Sequence, residues 1–466
     1  MLTRIVNIFF VSLFFLVEFS TLYAQKSNDY VVVKEFKIIG NKTTKESIIV
    51  REIPFSIYDT IQNINLSKEL DRVKSNLLNT SLFNFVRIDP VYFDDRNISI
   101  YITVEERWYW WPIPIFEIQE TNFNTWWLDK DFDKVNYGLF LSKENFRGRK
   151  ETLSFLFQDG YTEKVGVKYI VPYINRRKTN GLNMMFSYSR NREITYAVTN
   201  NVRDYYRSEN EYVQKEINSS IGYELRPKLY NKHNFNVGYS NVSISDSLLL
   251  LNEDYLIKNN DEMQYLSFNY TFKRDKRDVK NYPTKGSYFD FKLFKDGLGI
   301  ISEVNSFYLT SHLKRFFQIS DKFYFASSVK TKFTVKEGPY YLLNGFAFRN
   351  DLVRGYELYV VNGENYGLAK IQLRYSLLKN KVFNVAAIRP KKFNKIPLDI
   401  YIGTYFDAGY IDSKHDKQIN SLPNTTLYGG GVSLDFVSYY DLVLRVEYSI
   451  NKLNEKGLFL HFIAPI

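Results

Sequence analysis

The sequence predicts a mainly β protein: a membrane-spanning antiparallel β-barrel of about 16 strands, preceded by a small α+β unit. Three observations carry the prediction. Runs of alternating apolar and polar residues recur through most of the chain, and many approach the ~9–11 residues that a tilted strand needs to cross a bilayer. The chain holds 38 Tyr, 38 Phe and 5 Trp, 17% aromatic, and such rings favour strands and the membrane interface. After residue 24 no stretch approaches the ~20 apolar residues of a spanning helix, and only helices and closed barrels satisfy their backbone in lipid.

Composition excludes other classes. The 466 residues contain no cysteine, so disulfides and thiolate metal sites are ruled out. The four histidines, His233, His312, His415 and His461, lie far apart with none of the neighbours of a zinc or triad motif. No catalytic, cofactor-binding or metal-ligating residue is therefore expected, and no enzyme activity. The net charge of +11 is scattered through alternating segments rather than gathered in a basic run. It points to loops, a wet barrel interior and lipid headgroups, not to nucleic acid.

In chain order, residues 1–24 read as a secretory signal: Arg4, the apolar run Ile5 to Val17, then Leu22-Tyr23-Ala24 before Gln25. Residues 25–106 follow a different rhythm. Val31 to Ile39 is a strand ending at the Gly40-Asn41 turn; Thr44 is placed to cap a helix from Lys45 to Arg51. Leu66, Leu70, Val73 and Leu77 recur at helical spacing. Strands Phe85 to Val91 and Ile98 to Glu105 flank the turn Asp94-Asp95-Arg96-Asn97. The order is β-α-α-β-β. Its Ile38-Ile39-Gly40-Asn41, Ile49-Val50-Arg51-Glu52-Ile53, Leu77 to Phe83 and Ile102 to Glu106 resemble a POTRA domain, the periplasmic module of outer-membrane assembly and secretion barrels. Leu82 and Phe83 are expected to close its core.

Residues 107–134 hold all five tryptophans, Trp108, Trp110, Trp111, Trp126 and Trp127, with Pro112 and Pro114 between them. Such a segment cannot be a regular central strand. It reads as a lead into the barrel, with a tryptophan cluster between two soluble domains as the other reading. Residues 135–466 then form the barrel. Leu266, Phe268, Tyr270 and Phe272 alternate with Ser267, Asn269 and Thr271, and Leu444, Val446, Tyr448 and Ile450 alternate with Arg445, Glu447, Ser449 and Asn451. Lys and Glu on the second face require it to be wet, so lipid lies on the other. Strands begin near 135, 150, 164, 181, 194, 216, 232, 262, 286, 303 and 322, then near 365, 398, 425, 440 and 456, about 16 in all. The first strand, with Val135 and Tyr137, and the last, with Leu458, Leu460 and Phe462, are expected to meet at a seam.

Three constellations in this barrel resemble the BamA/TamA superfamily of outer-membrane insertases and its two-partner-secretion relatives. They are Asp275-x-Arg277 followed by Pro283-x-x-Gly286, a barrel turn; Leu352-Val353-Arg354-Gly355-Tyr356, the sixth extracellular loop; and Tyr405-Phe406-Asp407-Ala408-Gly409, the strand on which that loop docks. Asn145-x-x-Gly148, Pro172 and Tyr428-Gly429-Gly430-Gly431 add to the likeness. An arginine drawn into a barrel keeps its proton and needs an acid; the resemblance nominates Asp407, with Phe406 on the opposite face and Gly409 leaving space. A solvated Arg354 loop, and an Asp407 that is one lumen acid among many, are the alternatives. Asp275 and Arg277 read equally well as a surface pair.

The resemblance implies an outer-membrane assembly factor of a Gram-negative bacterium, its POTRA domain in the periplasm. It would insert or translocate unfolded β-rich client proteins, working with the lipid bilayer and with periplasmic or lipoprotein accessory subunits. A two-partner-secretion translocator or a passive channel is the alternative. A single POTRA domain suits an accessory or specialised member. Family barrels often end in an aromatic residue; here Phe462 is followed by Ile463-Ala464-Pro465-Ile466.

Overall fold

The computed structural model describes residues 30–118, 132, 135–301, 304–343, 345–346, 351–385, 394–414, 419–438 and 442–461. The proposed signal segment, Trp126, Trp127, His415 and Phe462 lie outside them.

The first unit joins β1 (Tyr30–Ile39), α1 (Glu46–Val50), β2 (Thr60–Gln62), α2 (Asn63–Leu78), β3 (Phe83–Tyr92) and β4 (Asn97–Glu106). Its sheet order is β2-β1-β4-β3, with β1 parallel to β4. The short β2 adds one strand to the expected β-α-α-β-β order. Leu66, Leu70, Val73 and Leu77 fall on one face of α2 and pack with Ile98, Ile100 and Ile102, while Leu82 and Phe83 complete the core. Gly40 takes φ +94°, and a Cβ there would stand 2.1 Å from the Val104 carbonyl oxygen. Thr44 does not cap α1: Lys45 is the N-cap residue. Its hydroxyl instead donates to Glu106 at 2.7 Å, because two backbone N–H groups already hold that carboxylate beside it.

Among the described residues the second unit is a 16-stranded antiparallel sheet with the character of a barrel wall. Its strands before the long loop are β5 (Trp110–Ile118), β6 (Val135–Phe146), β7 (Glu151–Gly160), β8 (Thr162–Val171), β9 (Asn180–Asn191), β12 (Gln214–Lys228), β13 (Asn231–Ile244), β14 (Glu262–Asp275), β15 (Gly286–Asp296), β16 (Ser306–Gln318) and β17 (Phe323–Lys336). After the loop come β18 (Asn365–Asn384), β19 (Lys395–Asp412), β20 (Thr426–Ser438), β21 (Val443–Asn451) and β22 (Lys456–His461). A separate hairpin, β10 (Glu193–Thr199) with β11 (Val202–Arg207), projects between β9 and β12, and α3 (Asp246–Leu251) follows β13.

The expected strand number therefore survives two compensating errors. The segment near 194 belongs to the projecting hairpin, not the wall. The tryptophan-rich lead contributes a wall strand, β5, paired with β6 from Trp110↔Lys143 to Ile118↔Val135. Pro112 and Pro114 are tolerated because β5 is an edge strand, and two prolines spaced by two can both turn their missing N–H to the side without a partner. Val135 and Tyr137, expected at the seam, lie one strand in. The seam is bounded by β5 and β22, with Leu458 and Leu460 of β22 exposed.

Exposure along the wall is inverted relative to a soluble protein. In β21, Arg445, Glu447, Ser449 and Asn451 are buried while Tyr448 and Ile450 are exposed. In β19, Tyr405, Asp407 and Gly409 point inward and Ile402, Phe406 and Tyr410 outward. An outward apolar face and an inward polar one is the pattern of a lipid-embedded barrel.

Candidate functional site: a loop locked against the inner wall

The segment between β17 and β18 turns inward. Gly355 takes φ +95°, open to glycine and strained for other residues, and its neighbours anchor on both sides of the turn. Asp351 accepts from Lys330 and from the Tyr366 hydroxyl. Asn451 of β21 donates its side-chain amide to the Gly355 carbonyl at 2.7 Å. Val353 and Tyr356 are buried with Phe346, Leu422 and Leu427.

Between these anchors lies Arg354, wholly buried. Its Nε donates to Asp407 Oδ2 at 2.8 Å and its Nη2 to Oδ1 at 2.6 Å, a two-pronged charge-assisted contact, and its backbone N–H reaches the same carboxylate at 3.2 Å. The guanidinium lies 3.7 Å from the Tyr405 ring centroid. Register explains the rest. Lys370 is directly opposite Asp407 across the β18–β19 ladder, and its Nζ is 3.5 Å from the carboxylate. Glu447 of β21 is 3.9 Å from Arg354 Nη1. Two wall glycines admit the loop. A Cβ on Gly409 would lie 2.7 Å from Val353 Cγ2, and one on Gly429 would lie 2.0 Å from the Arg354 carbonyl oxygen.

Within the loop, Glu357 accepts from the Gly355 N–H at 2.8 Å. Burial pushes its carboxyl up to about 7, against the pull of that backbone bond, and the nearby Glu447 adds to the rise.

The structure thus brings Val353, Arg354, Gly355, Tyr356, Asp407 and Gly409 together and leaves Phe406 on the outer face. Asp275 and Arg277 form a pair of their own at 2.8 Å, and Asp278 accepts from Thr284, which shapes the turn containing Pro283 and ending at Gly286. That turn does more than the sequence indicated. It carries Tyr282 into the interior, where the hydroxyl donates to Asp435 at 2.6 Å and the ring packs at a tilt against Tyr401, centroids 4.8 Å apart. Arg374 lies 4.4 Å from the Tyr282 ring centroid and donates to the Pro283 carbonyl, while Arg445 grips Asp435 at 2.6 and 2.7 Å. Sequence reading missed Tyr282, Asp435, Arg374, Arg445, Lys370 and Glu447. Alternation placed them inward without saying which would meet, and only the cross-strand register could have paired Lys370 with Asp407.

The first unit docks on the turns at one end of this wall. Lys45 N–H donates to the Gly148 carbonyl, Arg51 donates to the Lys178 and Arg226 carbonyls, and Asn79 donates to the Asp278 carbonyl. At the centre, Arg226 donates to both oxygens of Glu52 at 2.6 and 2.7 Å, with the Tyr173 hydroxyl also donating to Glu52. Burial alone would raise the Glu52 carboxyl. The hydrogen bonds and charge of Arg226 outweigh it and hold Glu52 well below the usual carboxylate range.

Comparison with known proteins fits this architecture. The Omp85 superfamily domain model matches residues 145–367, and the surface antigen variable number repeat, a POTRA model, matches residues 31–107. Among solved structures, BamA from Haemophilus ducreyi lacking POTRA domains 1–3 aligns over 92% of this chain and 83% of its own, at 15% identity and TM-score 0.52. CdiB from Escherichia coli aligns over 93% of this chain and 75% of its own, at 10% identity and TM-score 0.54. At such identities the likeness speaks to fold. A search of curated proteins finds no match by sequence. With its POTRA unit and its wall of sixteen strands among the described residues, the chain carries an Omp85 superfamily domain preceded by one POTRA domain, in a fold similar to those of BamA and CdiB.

Proposed function

We propose that this protein is a non-enzymatic assembly factor of the Gram-negative outer membrane, inserting β-rich client proteins with its POTRA domain in the periplasm. The observation that carries the reading is the open seam: β5 and β22 stand at opposite ends of the sheet order, and no ladder joins them among the described residues. Unpaired strand edges recruit further strands. Among the described residues β22 pairs with β21 from Arg445 to Ile450, and its other edge faces the seam. The edge strand β3 of the POTRA sheet offers a second place for an extended client to add. Insertion is favoured over passive conduction because the interior is occupied by the Arg354 loop and by the Tyr282 turn. Accessory subunits in the periplasm belong to the same reading.

The absence of native cysteine makes the test clean. Cysteine pairs walked along β5 and β22 should crosslink and, once locked, abolish client insertion in proteoliposomes, with recovery on reduction. A locked seam that inserts clients at the normal rate would sink the insertase reading. Loss of secretion with insertion intact in a depleted strain would move the assignment to translocation.

A further inference from the structure

His461 has none of the sequence neighbours of a metal site, yet the wall brings two acids to it. Glu447 accepts from or donates to His461 Nε2 across 2.9 Å, and Glu357 of the lumen loop faces both. One donor atom from each lies within 4.8 Å of the others. Ligands around a zinc-type ion with ~2.1 Å bonds stand about 3.4 Å apart, so small side-chain adjustments bring these three to coordinating distance.

Unspent bonding capacity makes the cluster more than a chance meeting. Glu447 is 1% exposed, and its Oε2 has no hydrogen-bond partner; Glu357 Oε1 is likewise buried and unpartnered. Buried carboxylate oxygens are costly to leave so. The surrounding charge does not settle the account. Arg354 spends its Nε and Nη2 on Asp407, its Nη1 stands 3.9 Å from Glu447, beyond hydrogen-bond reach, and Lys370 faces Asp407. Arg445, opposite His461 across the β21–β22 ladder, is engaged by Asp435. Glu447 Oε2 and Glu357 Oε1 are thus left without a donor within hydrogen-bond reach.

We propose that Glu357, Glu447 and His461 form a binding site for a divalent transition-metal cation of the zinc type, joining the lumen loop to the last two strands. Two carboxylates and one imidazole suit such an ion, whereas magnesium and calcium favour all-oxygen shells. Three protein ligands leave a fourth position to water. The ion would link Glu357, three residues from Arg354, to His461 at the end of β22, so it would brace the strand that borders the seam.

The test uses the full chain purified in detergent, stripped with chelator and titrated with Zn2+ by calorimetry and with Co2+ by its visible absorption. One ion per chain is expected, with affinity falling at least ~10-fold in both Glu357→Gln and His461→Asn, and no change in the remote His233→Asn. Heat-dependent migration on gels checks that each variant is folded. Zn2+ should also slow protease cleavage of the loop in the wild type and not in His461→Asn. No binding at millimolar Zn2+, or affinity unchanged in both site variants, overturns the site. Magnesium or calcium binding as tightly as zinc overturns its metal class.

Discussion

Arg354 is a charge that cannot be shed, held against Asp407 with neither group in contact with solvent. Removing one partner of such a pair leaves the other buried and unmatched, which costs about 3–5 kcal/mol, whereas an exposed pair is worth about 0–1 kcal/mol. Arg354→Ala should therefore free the loop, read as rapid proteolysis between β17 and β18 with the wall intact. Arg354→Lys should rescue little, because an ammonium cannot make the two-pronged contact. Gly409→Val should do similar damage without touching a charge, since its side chain would occupy the space of Val353 and Phe346; limited proteolysis of that variant separates packing from electrostatics. The central pair was legible in the sequence through motif order. Lys370 and Glu447 were not, because alternation supplies an inward polar residue at every second position and is silent about which strands stack them.

At the level of elements, the POTRA unit and the wall meet through the buried Glu52–Arg226 pair, with side-chain exposures of 4% and 8%. Glu52→Gln should loosen docking, seen as broadened spin-label distances between α2 and the β12–β13 turn. The pH dependence has a defined sign. A carboxyl depressed by folding contributes stability that is fully present above its unfolded pKa and is lost as pH falls toward its folded one. Docking should thus hold through the ordinary carboxylate range and fail only in stronger acid; failure near neutral pH would rule Glu52 out as the latch. The helices and strands of this unit were readable from periodicity. The three-residue β2 was not, being too short to show alternation, and Thr44 looked like a cap only because its partner Glu106 is distant in sequence. In the wall, β5 was disguised by Pro112 and Pro114, and β10 imitated a wall strand because a projecting hairpin alternates in the same way.

For the whole molecule, two independent inserts occupy the interior: the Arg354 loop, and the turn that carries Tyr282. Removing one should leave conduction obstructed by the other. Planar-bilayer recordings should give small conductances for the wild type, Arg354→Ala and Tyr282→Ala, and a clearly larger one for the double variant; a large stable pore in the wild type would contradict the double obstruction. The class of fold and the even strand number were legible because a bilayer dictates strand length and alternation. The filling of the interior was not, since it depends on loops whose destination no period encodes.

The docking contacts are unevenly distributed around the wall. Among the described residues, those to Gly148, Lys178, Arg226 and Asp278 fall on turns and strand ends between β6 and β15, and the later half is reached by the solvent-exposed Lys395–Glu105 contact at 3.5 Å. One border of the seam, β5, is continuous with the first of these halves; the other, β22, ends the second. A seam that opens from the β22 side predicts faster amide hydrogen exchange in β20–β22 than in β6–β9.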